Sequence, residues 1–143
     1  MVKGTMNGLR FQTVLQPDGK GSHWFRVDKP MRDALGIDVG GSVNLIVEQT
    51  KDWIEPEVPD DLEKVLSANP AANVIWEDIT TVARWEWLRW IGSTKSLETR
   101  KIRIEKTISK LNSGKRRPCC FNASQCTVPD VSNNGVLLEP IEE

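Results

Sequence analysis

The sequence W-E-W-L-R-W-I at residues 85–91 places three tryptophans in one predicted helix. At 100° per residue, Trp85 and Trp87 point in roughly opposite directions and Trp90 faces a third. A helix that is apolar nearly all round is either buried between neighbours or leaves an indole exposed. Because the chain has only three Phe and no Tyr, the favoured interpretation is an indole core joining strands to helices. The alternative is an aromatic and basic surface, the composition of binding hot spots.

Start and stop residues predict further helices on both sides of this segment. After Pro59 the sequence predicts a helix from Asp60 or Asp61 that stops before Pro70, a second over residues 82–92 begun by Thr80 or Thr81, and a third over residues 97–112 capped by Ser96. The third helix has one apolar stripe, with basic side chains on much of the remainder. Residues 59–117 are therefore expected to form a three-helix segment.

The residues before Pro59 have strand and turn patterns instead. Strands are predicted over residues 9–15, 23–27 and 43–47, with a further extended piece around Trp53-Ile54. The turn formers at residues 17–21 indicate a hairpin between the first two strands. Asp28 is expected to cap a short helix that ends at Gly36, and Ile46 is expected to be buried, as are its neighbours on the other strand face.

These patterns define an α+β protein: a small β-barrel, or half of one, with three to four strands, followed by the three helices. The expected domains are a β-barrel-like module over residues 1–58, a helical segment over residues 59–117 and an irregular tail over residues 118–143. The tail holds the three cysteines.

Charge is distributed unevenly along a chain that is nearly neutral overall. Residues 48–78 hold nine acids and two lysines, a net charge of −7, whereas residues 84–117 hold eleven basic residues and three acids, a net charge of +8. The favoured interpretation is mutual neutralisation, with the acidic segment packed over the basic helices. The alternative is a positive face offered to an anionic partner.

The sequence contains no recognisable catalytic constellation. The one histidine, His23, lies on a predicted strand without a nucleophile motif, and no phosphate-binding or dinucleotide-binding glycine loop is present. The vicinal pair Cys119-Cys120 and Cys126 lack zinc-site spacing. We therefore expect no enzyme, no cofactor and no metal. No segment has the length and apolarity to cross a bilayer, and the expected location is the cytoplasm.

Two motifs resemble a known family. Residues 90–95, W-I-G-S-T-K, are followed by E-T-R-K-I-R-I at residues 98–104, which resembles the W-I-x-x-A-K and E-T-R-x-x-R-I pattern of the bacterial bacteriocin-protection family, also called YdeI or OmpD-associated. Thr94 replaces the usual alanine. The resemblance implies a stress-response role, the tolerance of bacteriocins or cationic antimicrobial peptides.

The front of the chain is similar to the small β-barrel domain commonly fused ahead of that family, through Asn7-Gly8, Phe11 and the stretch from Val27 to Gly40. Residues 27–48 also resemble AbrB-type swapped-hairpin barrels, although Gly41 stands where those proteins have aspartate. That second resemblance implies a DNA-binding transcription regulator. Its expected phosphate contacts are Arg10, Lys20, Arg26, Lys29 and Arg32.

The family's barrel usually has two similar halves, and this chain is expected to start at the second. Half a barrel has open edges that need a partner, so the expected partner is a second copy of the chain through the β module; the alternative is that the helices cap it. A peptide or protein partner is also expected, with nucleic acid less favoured. The candidate binding surface consists of Trp85, Trp87, Trp90, Lys95, Glu98, Arg100 and Arg103. For Glu98 and Arg100 the favoured role is a structural pair that fixes the turn between the helices.

Overall fold

A computed structural model describes residues 1–118, 127–133 and 136–138. The chain divides into two compact units. The strand unit consists of residues 1–16 and 23–53. The helical unit consists of residues 17–22 and the described residues from Ile54 onward. The α+β class predicted from the sequence is confirmed.

The strand unit is built on an antiparallel sheet of three strands. They are β1 (Val2–Met6), β2 (Leu9–Thr13) and an edge strand, Leu45–Gln49, which is β5 in chain order. The order across the sheet is β2-β1-β5. Asn7 and Gly8 connect β1 to β2 with φ angles of 49° and 85°. Two successive positive φ angles match the twist of a two-residue hairpin, which favours this Asn-Gly pair.

The predicted hairpin between residues 9–15 and 23–27 is therefore wrong, because residues 9–13 pair with β1 instead. The turn at residues 17–21 does exist: the Asp18 carboxylate accepts hydrogen bonds from the Lys20 and Ser22 amides at 2.7 and 3.0 Å. It connects only two short strands, β3 (Gln16–Pro17) and β4 (His23–Trp24). A proline in β3 cannot donate to a ladder, which keeps this pairing short.

The two faces of the sheet differ in burial. Val2 and Met6 are buried on one face, and Phe11 stacks on Phe25 with ring centroids 5.4 Å apart. Strand β5 is exposed throughout. Ile46 is 72% exposed, so the prediction that it is buried is wrong. The described residues form an open sheet and no closed barrel.

The short helix α1 (Lys29–Leu35) forms where the sequence predicts it. The Asp28 carboxylate accepts a hydrogen bond from the Met31 amide at 3.0 Å, and Gly36 ends the helix at a φ of 64°. The strand predicted over residues 43–47 lies two residues later, as β5. Around Trp53-Ile54 the described chain is irregular, so the predicted fourth extended piece pairs with no strand there.

The helical unit contains four helices in its described residues: α2 (Asp60–Ser67), α3 (Pro70–Asp78), α4 (Thr81–Gly92) and α5 (Leu97–Asn112). The prediction of three helices missed α3. Pro70 does not only end α2: it lies in the first turn of α3, where its missing N–H would have no helical partner anyway. The other three helices are confirmed within a residue or two.

All four helices contribute to one hydrophobic core. Trp76 from α3 and Trp87 from α4 are the largest side chains in it, at 3% and 0% exposed. Burial of a large apolar side chain stabilises a fold by about 1.5–3 kcal/mol. The remaining core residues are Leu62, Leu66, Ala72, Ile79, Ala83, Ile91, Ile104, Ile108 and Leu111.

The described part of the tail is less irregular than predicted. Ser132–Asn133 (β6) pairs with Val136–Leu137 (β7), and the Leu137 amide donates to the Asp18 carbonyl at 2.8 Å. The three cysteines lie outside the described residues. None of the described helices combines the length and hydropathy that a bilayer-crossing segment needs.

Gly4 offers a test of the strand pairing. A Cβ atom at Gly4 would lie 1.8 Å from the Ile46 carbonyl oxygen, so Gly4→Ala must push β1 and β5 apart. We expect the free energy of unfolding of the strand unit to fall by about 2–3 kcal/mol. Hydrogen exchange of the β5 amides measures this loss. Lys3→Ala on the same strand is the control, because an exposed ion pair contributes at most about 1 kcal/mol; equal effects of the two changes would contradict the observed register.

Candidate binding surface of the helical unit

The two arginines of the E-T-R-K-I-R-I motif hold three helices together. Arg100 binds Asp61 of α2 through two hydrogen bonds, at 2.6 and 3.0 Å. Arg103 donates to the Trp90 carbonyl at 2.7 Å and to the Ser93 hydroxyl at 2.8 Å. Residues three apart on a helix share a face, so α5 reaches both α2 and the end of α4. A cation is also favoured at the C-terminus of α4 by the helix dipole.

Trp90 is the half-buried centre of an aromatic and cationic cluster. The Arg103 guanidinium lies 5.5 Å and the Lys110 ammonium 5.2 Å from its ring centroid. Trp87 meets it edge-on, with centroids 6.0 Å apart. Cations within about 6 Å of an indole are attracted by its π-electrons. The cluster therefore fixes the orientation of Trp90 from within the unit.

The other two tryptophans of the predicted surface also make internal contacts. Trp87 is completely buried, and its indole N–H donates to the Arg116 carbonyl at 3.1 Å. Trp87 therefore belongs to the core and not to the candidate surface. Trp85 is half-buried, and its indole N–H donates to the Ile54 carbonyl at 2.8 Å.

Arg84, which is not part of the predicted surface, is a key structural residue of the helical unit. It caps the end of α3 by donating to the carbonyls of Trp76 at 3.0 Å and Ile79 at 2.6 Å. The same guanidinium binds both carboxylate oxygens of Glu55, at 2.6 and 2.9 Å, and this hydrogen bonding lowers the pKa of Glu55. An arginine one turn inside a predicted helix looks like an ordinary surface residue, so its partners were not detectable from local pattern.

The structure supports neutralisation between the acidic and basic segments. Three ion pairs join the acidic segment to the basic one within the helical unit, and a fourth lies inside the basic segment. The pairs are Arg84–Glu55, Arg100–Asp61, Arg116–Asp78 and Arg117–Glu86. The eight charged residues in these pairs therefore have an internal partner, which reduces the field available to attract a distant polyanion.

Lys95 and Glu98 have a different environment. Both are exposed at the corner between α4 and α5, and neither side chain makes a hydrogen bond or ion pair with another described residue. Arg100 pairs with Asp61, so the expected pair of Glu98 with Arg100 is wrong. Between them, Leu97 is 84% exposed. We refer to Lys95, Leu97 and Glu98 as the α4–α5 corner.

The strand unit has a shallow groove of about 580 Å³, lined by Lys3, Arg10, Gln12 and Glu48 among others. Of the residues expected to contact DNA phosphates, only Arg10 lines it. No group of His, Cys, Asp and Glu in the described chain is arranged to hold a metal ion.

Fold and surface together define a two-unit α+β protein, in which a small antiparallel sheet precedes a four-helix unit held by arginine clamps. Residues 55–114 match the family model described as Bacteriocin-protection, YdeI or OmpD-Associated. Residues 1–47 match the model of a domain of unknown function, DUF1905. The resemblance stated from the two motifs is thereby confirmed, with a β domain ahead of the helical one. Neither the curated proteins nor the solved structures gave a match.

The Arg100–Asp61 clamp predicts a pH-dependent stability. The side-chain hydrogen bond from Arg100 lowers the pKa of Asp61 below its ordinary value of 3.8. The contribution of the clamp is therefore present above pH 3.8 and is lost as the pH falls through the lower folded-state pKa. We expect Asp61→Asn to reduce the free energy of unfolding at pH 6 by about 1 kcal/mol more than Asp60→Asn, a neighbouring acid at the same helix end.

Urea unfolding at pH 6 and at pH 2.5 measures this difference. It should shrink at the lower pH, because below pH 3.8 the unfolded chain takes up a proton at Asp61 more readily than the folded chain does. A difference that persists unchanged in acid would show that the clamp acts through shape and not through charge.

The hydrogen bonds that Arg103 donates at the end of α4 predict a larger loss of stability than the Arg100–Asp61 clamp does. Arg103→Ala leaves the Trp90 carbonyl without its charged donor, and we expect a loss of about 2 kcal/mol in the free energy of unfolding. Lys106→Ala, an exposed residue one turn further along α5, should change it by less than about 0.5 kcal/mol. Chemical denaturation followed by tryptophan emission compares the two, and equal effects would contradict the capping role.

Proposed function

We propose that this protein is a non-enzymatic binding protein that contributes to bacterial tolerance of bacteriocins or cationic antimicrobial peptides, and that the α4–α5 corner carries the contact. The family match over residues 55–114 supports the association with bacteriocin protection. The corner within that match is the part of the predicted surface whose side chains are not used for internal contacts. We further propose a cytoplasmic location.

The observation that carries the proposal is the exposed apolar side chain of Leu97 on a well-held turn. The Ser96 hydroxyl caps α5 by accepting from the Thr99 amide at 3.2 Å. Ser93 donates to the Trp90 carbonyl at 2.9 Å, and Arg103 holds Ser93 in turn. A contact surface that is already ordered loses little conformational entropy on binding.

The chemistry of the corner suits an amphipathic, cationic peptide. Leu97 offers apolar area to the peptide's apolar face, and Glu98 offers a carboxylate to one of its cations. Lys95 provides the opposite charge, which favours one orientation of the peptide over the reverse. Trp85 and Trp90, which are only half-buried, are further proposed aromatic contacts on α4.

The test uses the full chain and a fluorescently labelled cationic amphipathic peptide, with binding followed by anisotropy. We expect the double variant Leu97→Ser/Glu98→Gln to weaken binding by about tenfold or more, since it removes the apolar contact and the carboxylate. The matched control is Val74→Ser/Glu77→Gln on α3, which makes the same chemical changes at residues that are also exposed. This control should bind as the parent does.

A survival assay extends the test to cells. Bacteria that lack the gene and express the double variant should be more sensitive to the peptide than those that express the control. Equal binding by all three proteins, or no binding at physiological salt, would overturn the proposal. Mass spectrometry of the recovered peptide tests the non-enzymatic part, because a cleaved or modified peptide would contradict it.

A further inference from the structure

Strand β5 has one hydrogen-bonding edge that no described strand covers. The Asn7 amide donates to the Asn44 carbonyl and the Thr50 amide donates to the Met1 carbonyl, in register with Thr5 opposite Ile46. Alternate residues of an antiparallel strand face its neighbour. The even-numbered residues of β5 therefore bond to β1, and the backbone groups of Leu45, Val47 and Gln49 point away from the sheet.

The side chains of this edge are apolar on both faces of the strand. Leu45, Ile46 and Val47 are 43%, 72% and 44% exposed. Edge strands are usually protected by proline, lysine or a bulge, and β5 has none of these. Its one charged residue, Glu48, lies 3.9 Å from Lys3 on β1. The strand therefore has the properties of an edge that is covered in the working protein.

We propose that β5 pairs antiparallel with β5 of a second copy of this chain, with the two-fold axis at Val47. In this register Leu45 lies opposite Gln49 of the second copy and Ile46 lies opposite Glu48. Because the outward-facing odd-numbered residues must pair with one another, the dyad passes through a residue position, and Val47 is the position that pairs all five residues of both strands. The two three-stranded sheets then form one continuous sheet of six strands.

In this arrangement the side chains of β5 fit against the same side chains of the second copy. Val47 meets Val47 of the second copy on one face, and the two Ile46 side chains are diagonal neighbours on the other. Glu48 faces the partner's isoleucine and keeps Lys3 beside it, so no like charges are directly opposed. A cationic peptide is a poorer occupant, since the only acid on the strand already has a lysine partner. The inference rests on the strand unit and is independent of the proposed function.

The first experiment measures the mass of the full chain by light scattering at micromolar concentration. We expect twice the chain mass of 16.1 kDa. Val47→Lys places two cations directly opposite at the axis and should weaken dimerisation by about tenfold or more. Val74→Lys, which puts the same charge on an exposed position of α3, should leave the mass unchanged. Hydrogen exchange of β1 and β2 verifies that the Val47 variant is folded.

The second experiment tests the register in a background with all three native cysteines changed to serine. Directly opposed residues of a hydrogen-bonded pair have Cα atoms about 5.5 Å apart, which suits a disulfide. Val47→Cys should therefore form a disulfide-linked dimer on mild oxidation. The backbone of Gln49 faces the same way, but Gln49 lies two residues from the axis. Gln49→Cys should therefore not form a disulfide-linked dimer.

Three outcomes would overturn the inference. They are a monomer at all concentrations, a dimer that Val47→Lys does not weaken, and Gln49→Cys linking as readily as Val47→Cys. Hydrogen exchange of the Val47 amide gives a further check. If this amide is protected to the same extent at every protein concentration, the chain's own residues, and not a second copy, cover the edge.

Discussion

The helical unit depends on guanidinium groups that bind backbone carbonyls at the ends of helices. Arg84 binds the carbonyls of Trp76 and Ile79 at the end of α3 and is only 13% exposed, and Arg103 does the same for Trp90 at the end of α4. Carbonyls in the last turn of a helix have no helical donor and are costly to bury. Because Arg84 and Arg103 donate hydrogen bonds to these carbonyls, short helices can end inside a unit that packs around Trp76 and Trp87.

This constraint changes the interpretation of the family motif. From the sequence alone, Trp90, Arg100 and Arg103 suggest a binding surface, because tryptophan and arginine are enriched at binding hot spots. In the structure they are largely occupied with one another: Arg103 caps the helix that carries Trp90, and Arg100 holds α2. The motif fixes the shape of the α4–α5 corner, and Lys95 and Glu98 are the residues within it that remain exposed.

The strand unit shows the opposite situation, since its described residues leave one edge of the sheet uncovered. Its central strand β1 is paired on both sides, and Gly4 allows a close approach to β5. The outer edge of β5 instead exposes apolar side chains and backbone groups with which no described strand pairs. A sheet of three strands has little core of its own, so the strand unit has more to gain from association than the helical unit does.

The sequence alone determined the features whose causes are local. Asp28, Thr80 and Ser96 were predicted as caps or helix starts, and each accepts a hydrogen bond from an amide three residues later. The family motif was recognisable for the same reason, because it is a short pattern. What only the tertiary structure decided was the choice of distant partners. Residues 9–13 pair with β1 and not with residues 23–27, Arg100 pairs with Asp61 and not with Glu98, and Trp87 is buried while Trp90 is not fully so. Each of these depends on which surfaces meet after folding, and hydrophobic periodicity within one element carries no information about that choice.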